Sequence, residues 1–148
     1  SEALLDAAEA IVQAGGAVTD EAAGYLAQVQ ARANTEGKTA DQIKTALMGL
    51  SKDDFIYACW TERLREFPLE FKIWDDCLRT KMFPKIDEPA KDADGKPIFV
   101  GKVVYEDLVG AKNGSDATFK ATDLVWPFPL TELQRNSKLE QNEGYAKE

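Results

Sequence analysis

The sequence contains no histidine, which removes the side chain that enzymes use most often as a general base and as a metal ligand. It also lacks a nucleophile elbow, a phosphate-binding loop and a dinucleotide-binding fingerprint. No apolar run approaches the ~20 residues that a membrane-spanning helix needs, so any membrane attachment is expected to lie outside this chain. These absences disfavour the common catalytic classes, and we expect no cofactor and no metal.

Basic residues are in the minority. The chain has 18 Lys and Arg against 26 Asp and Glu, which gives a formal charge of −8. Because proteins bind nucleic acid chiefly through Lys and Arg contacts to phosphate, nucleic acid is not an expected partner.

Cysteine is also scarce. Cys59 and Cys77 are the two cysteines, and the sequence is compatible with two buried thiols or with one disulfide. We favour buried thiols, because free cysteine is among the most buried residue types.

The chain has the length and composition of one globular domain. Its 148 residues are 44% hydrophobic and 30% charged, which is not a disordered composition. The periodicity predicts a mainly α fold in a single domain 1–148, with helices in 1–84, an excursion of loop and small β-hairpin in 85–123, and an extended C-terminal clasp in 124–148.

The first two helices should form an antiparallel hairpin. An apolar stripe predicts a helix over 2–14, Gly15 and Gly16 end it, and Thr19 or Asp20 caps a second helix that runs to about Ala33. A short connection between two Ala-rich amphipathic helices is typical of the hairpins used in helical repeats.

Three more helices are expected before residue 85. Thr39 with Gln42, and Ser51 with Asp54, have the spacing of helix start signals. Pro68 suits the first turn of a helix, so we predict a break near Phe67 and a final helix over 68–79.

The excursion carries turn signals and three candidate ligand-binding aromatics. Asp94-Gly95 and Asn113-Gly114 predict tight turns, and the alternation in 98–105 predicts a strand. We interpret residues 92–96, DADGK, as a turn rather than a calcium loop, because the distal Glu is absent. Sugar binding needs exposed aromatic rings, and the candidates in this region are Phe99, Tyr105 and Phe119.

A charged block lies between apolar positions in the fourth and fifth predicted helices. The apolar positions, expected in the core, are Trp60, Leu64, Phe67 and Trp74, and the charged residues are Glu62, Arg63, Arg65, Glu66, Glu70 and Asp76. Arginine among carboxylates can form bidentate pairs between helices, so we predict an internal ionic network. Two of the carboxylates acting in glycoside hydrolysis are the less favoured alternative.

We predict that the C-terminal run, residues 124–148, packs as a clasp on the rest of the domain. Pro127 and Pro129 impose an extended backbone, and Thr131 with Gln134 has the spacing of a capping box. Asn136, Asn142 and Gly144 suit left-handed positions or side-chain to backbone bonds. We expect Trp126 and Tyr145 to be buried, and the run to pack against the charged helices.

The first helix pair and two later stretches resemble the SusD/RagB family of outer-membrane nutrient-binding lipoproteins. EALLDAAEAIVQAGG (2–16) and EAAGYLAQVQARAN (21–34) resemble the family's helix pair, and the resemblance implies that this pair is the last of several tetratricopeptide-like units. Residues 126–145 match the pattern WPIPxxExxxNPxLxQNPGY at Trp126, Pro127, Pro129, Glu132, Asn136, Leu139, Gln141, Asn142, Gly144 and Tyr145. Residues 62–80 resemble ERRRELAFEGHRWFDLxR, and the shared positions are Glu62, Arg63, Arg65, Glu66, Glu70, Trp74, Asp76 and Arg79. The chain departs from the pattern at Phe71, Lys72, Ile73 and Asp75, where the family usually has Gly, His, Arg and Phe.

The resemblance implies a non-catalytic function. Such proteins capture a glycan at the cell surface and act as a lid on a TonB-dependent outer-membrane transporter, held by a lipid anchor at the N-terminus. Because family members are several times longer, we expect this chain to be the C-terminal portion of one.

Alternatives remain open. The RagB-like branch takes up peptides, and a helical module that binds protein or peptide through the wall of the first hairpin is the second hypothesis. A hydrolase is the third. If a preceding helix normally covers the apolar stripe of 2–14, the exposed stripe predicts a dimer or aggregation.

Overall fold

A computed structural model of the protein describes residues 1–88, 91–96, 102–112 and 115–145. Over these ranges the chain is mainly helical with a two-stranded antiparallel sheet, as predicted. In chain order the elements are α1 (Glu2–Gly15), α2 (Asp20–Arg32), α3 (Ala40–Met48), α4 (Lys52–Glu66), α5 (Lys72–Thr80), β1 (Met82–Glu88), β2 (Lys102–Asp107), a 3-10 turn (Ala121–Leu124) and α6 (Leu130–Arg135).

The α1–α2 hairpin forms as predicted. Gly16 has φ 76°, a left-handed value that glycine adopts without strain, and its N–H donates to the Val12 carbonyl to end α1. Thr19 caps α2 by accepting a hydrogen bond from the Ala22 N–H at 3.1 Å. The sequence therefore sets both ends of the connection locally.

The core lies among α1, α2, α3 and α4. The centre of the apolar stripe of α1 is fully buried against α2 and α4, so the exposed stripe that would have driven dimerisation is absent. The largest fully buried side chains of this core are Leu5, Val12, Leu26, Phe55 and Cys59.

Both predicted start signals of α3 and α4 are confirmed. Thr39 and Gln42 form a capping box, in which each side chain accepts from the other residue's backbone N–H. Ser51 accepts from the Asp54 N–H at 3.1 Å.

The start of α5 differs from the prediction. We expected a helix from Pro68, but residues 68–71 form turns and α5 begins at Lys72. Phe71 has φ 59° and ψ 9°, and a right-handed helix cannot continue through a left-handed residue. The related pattern has Gly at this position, which the observed backbone explains.

The hairpin of the excursion is larger than predicted. β1 begins at Met82, inside the range that we assigned to helices, and pairs with β2 so that Met82 faces Asp107 and Pro84 faces Tyr105. β2 overlaps the predicted strand 98–105 from residue 102 onward, and the rest of that strand lies outside the described residues. Strand pairing over a long loop leaves only a weak local signal, which is why β1 was missed.

The two predicted turns have different outcomes. Gly95 has φ 77° and its N–H donates to the Asp92 carbonyl at 3.0 Å, so the turn at 94–95 is confirmed. Residues 113 and 114 lie outside the described residues, but Lys112 and Thr118 on either side of them pair in an antiparallel bridge.

The C-terminal run folds back on itself rather than on the charged helices. The Gln141 amide bonds both backbone groups of Phe128, at 2.8 and 3.0 Å, and Asn142 Nδ2 donates to the Trp126 carbonyl. The Tyr145 hydroxyl lies 2.9 and 2.8 Å from the carbonyls of Thr122 and Val125. These bonds join residues 122–145 to one another.

Two expectations for this run are wrong. Trp126 is 89% exposed and Tyr145 is only half-buried, because the clasp is held by polar bonds rather than by burial of its rings. α6 forms the expected single turn, but it begins at Leu130 after Pro129 and no capping bond from Thr131 is present.

The expectations for Asn136, Asn142 and Gly144 are confirmed. Asn136 Oδ1 accepts from the Lys138 N–H, and Gly144 has φ 86°. A Cβ at position 144 would lie 2.1 Å from Thr122 Cγ2, so only glycine fits there.

No helix in the described part of the chain is both long enough and apolar enough to cross a membrane.

The strained backbone at Phe71 predicts a stabilising substitution. Phe71→Gly should raise the free energy of unfolding by about 0.5–1 kcal/mol. Glycine relieves a left-handed backbone strain of ~1–2 kcal/mol in the folded state, and the larger entropy that it gives to the unfolded chain offsets part of this gain. Urea denaturation measures the change. Leu69→Ala is the control, because Leu69 is equally exposed and its φ is not positive. Destabilisation by Phe71→Gly would contradict this account of the turn.

Candidate functional site

A buried arginine joins three helices. Arg63 lies on α4, and its side chain is only 8% exposed. Its Nε donates to Asp76 Oδ2 of α5 at 2.8 Å, and its Nη1 donates to Asp6 of α1. Nη2 lies 3.8 Å from Glu2 Oε1. A single guanidinium therefore links α1, α4 and α5 through charge-assisted hydrogen bonds.

A second arginine extends this network. Arg79 of α5 makes a bidentate pair with Glu9 of α1, with N–O distances of 2.7 and 3.0 Å, and it also reaches Asp76 at 3.1 Å. The Glu9 side chain is 7% exposed, so its charge needs this partner. The Glu9 carboxylate, in turn, raises the pKa of Arg79.

The other predicted members of the charged block pair near this centre. Glu62 lies 3.5 Å from Arg65, Glu70 lies 3.2 Å from Lys72, and Glu66 pairs with Arg32 of α2. An ionic network between helices is thus present. The sequence did not indicate its α1 members, because they lie 57 to 70 residues from their partners along the chain.

The network is less internal than predicted. Its carboxylates and cations line an open groove of about 580 Å³, in which Asp6 and Glu2 are 58% and 46% exposed. A general acid needs a raised pKa, but Lys72 at 2.6 Å lowers the pKa of Glu2. Carboxylates that are paired with cations in this way suit the packing of helices rather than glycoside hydrolysis.

Tyr105, a predicted ligand contact, is used within the fold. Its ring stacks on Tyr57 at 5.3 Å and meets the edge of Trp60 at 5.2 Å, which fastens β2 to α4. Burial raises the pKa of Tyr105 to about 12, and its hydroxyl lies 3.3 Å from the Thr61 hydroxyl. Phe99, the second predicted contact, lies outside the described residues.

Phe119, the third predicted contact, meets Trp74 at an open cleft. The ring centroids are 5.7 Å apart and the planes cross at 67°. The cleft measures about 270 Å³, and its other lining residues include Phe83, Leu108, Thr118 and Asp123. We expected Trp74 in the core, but it is 46% exposed because the side of α5 that carries it faces this cleft.

The remaining apolar positions of the block do lie inward. Phe67 is buried, and Trp60 and Leu64 are half-buried. Phe67 also lies under two cations, Arg63 at 5.6 Å and Lys72 at 4.6 Å from its ring centre.

Cys59 and Cys77 are buried free thiols, as we favoured. Burial, with a smaller effect of the nearby Glu9 and Glu62 charges, raises the pKa of the Cys59 thiol to about 12.

In the described part of the chain, no group of three or more Cys, Asp or Glu side chains is placed to hold a metal ion. Asp92 Oδ1 accepts from the N–H groups of Asp94 and Lys96, which confirms the turn at 92–96.

The comparisons with known proteins agree with this architecture. Residues 1–145, which include both ends of the network and residues 124–145 of the clasp, match the SusD family. This chain belongs to the SusD family. No curated protein matches the chain.

A solved structure supports the assignment to the SusD family. The chain is similar to a SusD superfamily protein from Parabacteroides distasonis ATCC 8503, with 29% sequence identity and a TM-score of 0.69. The likeness covers 96% of this chain and 25% of that protein, so the chain spans a quarter of that protein's length. SusD family proteins are in general binding proteins rather than enzymes.

The buried position of Arg63 predicts a large loss of stability on its removal. Arg63→Met should lower the free energy of unfolding by about 2–3 kcal/mol, because it leaves Asp76 and Asp6 without their shared cation, and both are partly solvated. Urea denaturation measures the loss. Arg135→Met is the control, because that side chain is 78% exposed and its partner Glu132 is 54% exposed, so a change within ~0.5 kcal/mol is expected. Equal effects of the two substitutions would contradict the role given to Arg63.

The raised pKa of Cys59 predicts slow thiol chemistry in the folded protein. At about pH 8 the native chain should react far more slowly with a disulfide reagent such as Ellman's than the guanidinium-unfolded chain does, because the thiolate is the nucleophile. The folded thiol holds its proton more tightly than the unfolded one, so stability should fall as pH rises above about 8.5. Rapid modification of one thiol per native chain would contradict this burial.

Proposed function

We propose that this chain is part of a protein that captures a glycan at the bacterial outer membrane and does not cleave it. Membership of the SusD family over residues 1–145 carries the proposal. The pairing of groove carboxylates with Arg63 and Arg79 supports it. The acid in glycoside hydrolysis needs a raised pKa, whereas Lys72 lowers the pKa of Glu2.

The proposal includes a partner and a location. The protein acts as a lid on a TonB-dependent outer-membrane transporter and is attached to the cell surface by a lipid anchor outside residues 1–148. The general association of SusD family proteins with such transporters supports this part. Residues 1–145 contribute a rigid helical support, and the hairpin region adds aromatic rings at its surface.

The proposal gives different roles to the predicted ligand contacts, which were Phe99, Tyr105 and Phe119. Phe119 stands at the open cleft and contacts an exposed indole, which favours a role in binding. Tyr105 has its ring faces occupied by Tyr57 and Trp60, so its contribution is to hold β2 in place.

A binding survey of the protein at its native full length tests the proposal. A glycan array followed by calorimetry should show binding of an oligosaccharide, and chromatography of the incubated glycan should show no released sugar. Released sugar would contradict the proposal in favour of a hydrolase. Binding of peptides alone would contradict the glycan and favour peptide uptake. The absence of a transporter gene beside this gene would count against the lid role.

A further inference from the structure

Trp74 and Phe119 meet at an angle and form two sides of an open cleft rather than part of a filled core. Trp74 projects from α5 and Phe119 from the segment after β2, and their planes cross at 67°. Phe83 and Leu108 close the bottom of the cleft. Because the indole stays 46% exposed, aromatic surface remains open to a ligand beside the contact between the rings.

The rim of the cleft is polar and carries one charge of each sign. Lys112, Thr118 and Asp123 supply an ammonium, a hydroxyl and a carboxylate. Asp123 Oδ2 already accepts from the Lys120 N–H at 2.8 Å, and among the residues that the structure describes no hydrogen-bond partner lies at its Oδ1. The rim therefore selects neither anions nor cations, but it offers hydrogen bonds to a neutral polar ligand.

The size of the cleft restricts the ligand to one ring. Its volume of about 270 Å³ lies just below the ~300–1,000 Å³ of pockets that enclose drug-sized molecules. A neutral ligand with one ring, an apolar face and hydroxyl groups at its edge matches the aromatic corner and the rim together. A pyranose has this distribution of apolar and polar surface.

We infer that the cleft formed by Trp74, Phe119 and Asp123 is a binding subsite for a single neutral pyranose ring. The inference rests on the proposed glycan capture and assigns part of it to this chain. The sugar lies with its apolar face on the indole of Trp74, Phe119 limits its position from the side, and Asp123 Oδ1 accepts from a sugar hydroxyl. The subsite adds one ring's contacts to a longer glycan bound elsewhere on the protein.

The rigidity of α5 supports the inference. The helix turns about 100° per residue, which places Trp74 on the side away from Asp76 and Arg79. Those two side chains are bonded to Arg63 and Glu9, so the backbone that carries the indole is fixed before a ligand arrives. A preorganised ring loses little freedom on binding.

Indole signals in NMR spectra test the inference on the 148-residue chain. The chain contains three tryptophans, so its ¹H–¹⁵N spectrum holds three indole signals, each assigned by one Trp→Phe variant. Methyl glycosides of glucose, galactose and mannose, titrated to millimolar levels, should shift the Trp74 signal in a saturable manner with at least one of them. The Trp126 signal should not move, since that ring is 89% exposed and lies outside the cleft. An unchanged Trp60 signal reports that the fold is intact.

Substitutions at the rim separate a sugar site from an apolar pocket. Asp123→Asn, which keeps an acceptor for the Lys120 N–H, should weaken binding of the shifting glycoside about tenfold, because a hydrogen bond to a charged group is lost. Glu140→Gln is the control, since that carboxylate is exposed in the C-terminal run and does not line the cleft. Cyclohexanol, which has a six-membered ring but only one hydroxyl group, should bind at least about fivefold more weakly than that glycoside.

The outcomes distinguish this subsite from the proposed function. No shift of the Trp74 signal with any glycoside, or equal binding of cyclohexanol, overturns the subsite. If the full-length protein still binds an oligosaccharide, the proposed function stands and only the subsite fails. If the full-length protein binds no glycan and the Trp74 signal does not respond, both fail.

Discussion

The guanidinium of Arg63 is the interaction on which the rest of this structure depends. It is nearly removed from solvent and lies among carboxylates from two other helices, so it holds α1, α4 and α5 together at one point. A buried cation is costly without such partners, and the partners would repel one another without the cation. The arrangement therefore favours the one relative placement of the three helices that satisfies all of these charges.

The fifth helix shows why this matters for function. α5 has nine residues and fully buries only Cys77, so apolar packing alone supports it weakly. Ion pairs from Asp76 and Arg79 hold one side of the helix, and this leaves Trp74 free to face the cleft on another side. α5 therefore has two different sides: one carries charged residues of the ionic network, and the other carries the exposed indole of Trp74.

The sequence predicted what is encoded locally. Glycine at the end of α1 and the caps at Thr19, Thr39 and Ser51 formed as expected, because each depends on residues within one helical turn. β1 and the α1 partners of Arg63 were missed, because their partners lie far along the chain. The burial of Trp126 was wrong for a related reason: backbone bonds from Gln141 and Asn142 stabilise the clasp without enclosing the ring. The left-handed backbone of Phe71 could have been predicted from the Gly of the related pattern, whereas the residue itself gave no such signal.

The coupling between Arg63 and Asp76 tests the central claim most directly. A double-mutant cycle with Arg63→Met and Asp76→Asn, measured by urea denaturation, isolates the free energy that the two side chains share. This account predicts a coupling of at least ~1 kcal/mol, so that the double variant is less destabilised than the sum of the single variants. Additivity within ~0.5 kcal/mol would contradict the claim that this ion pair holds α5 on α4.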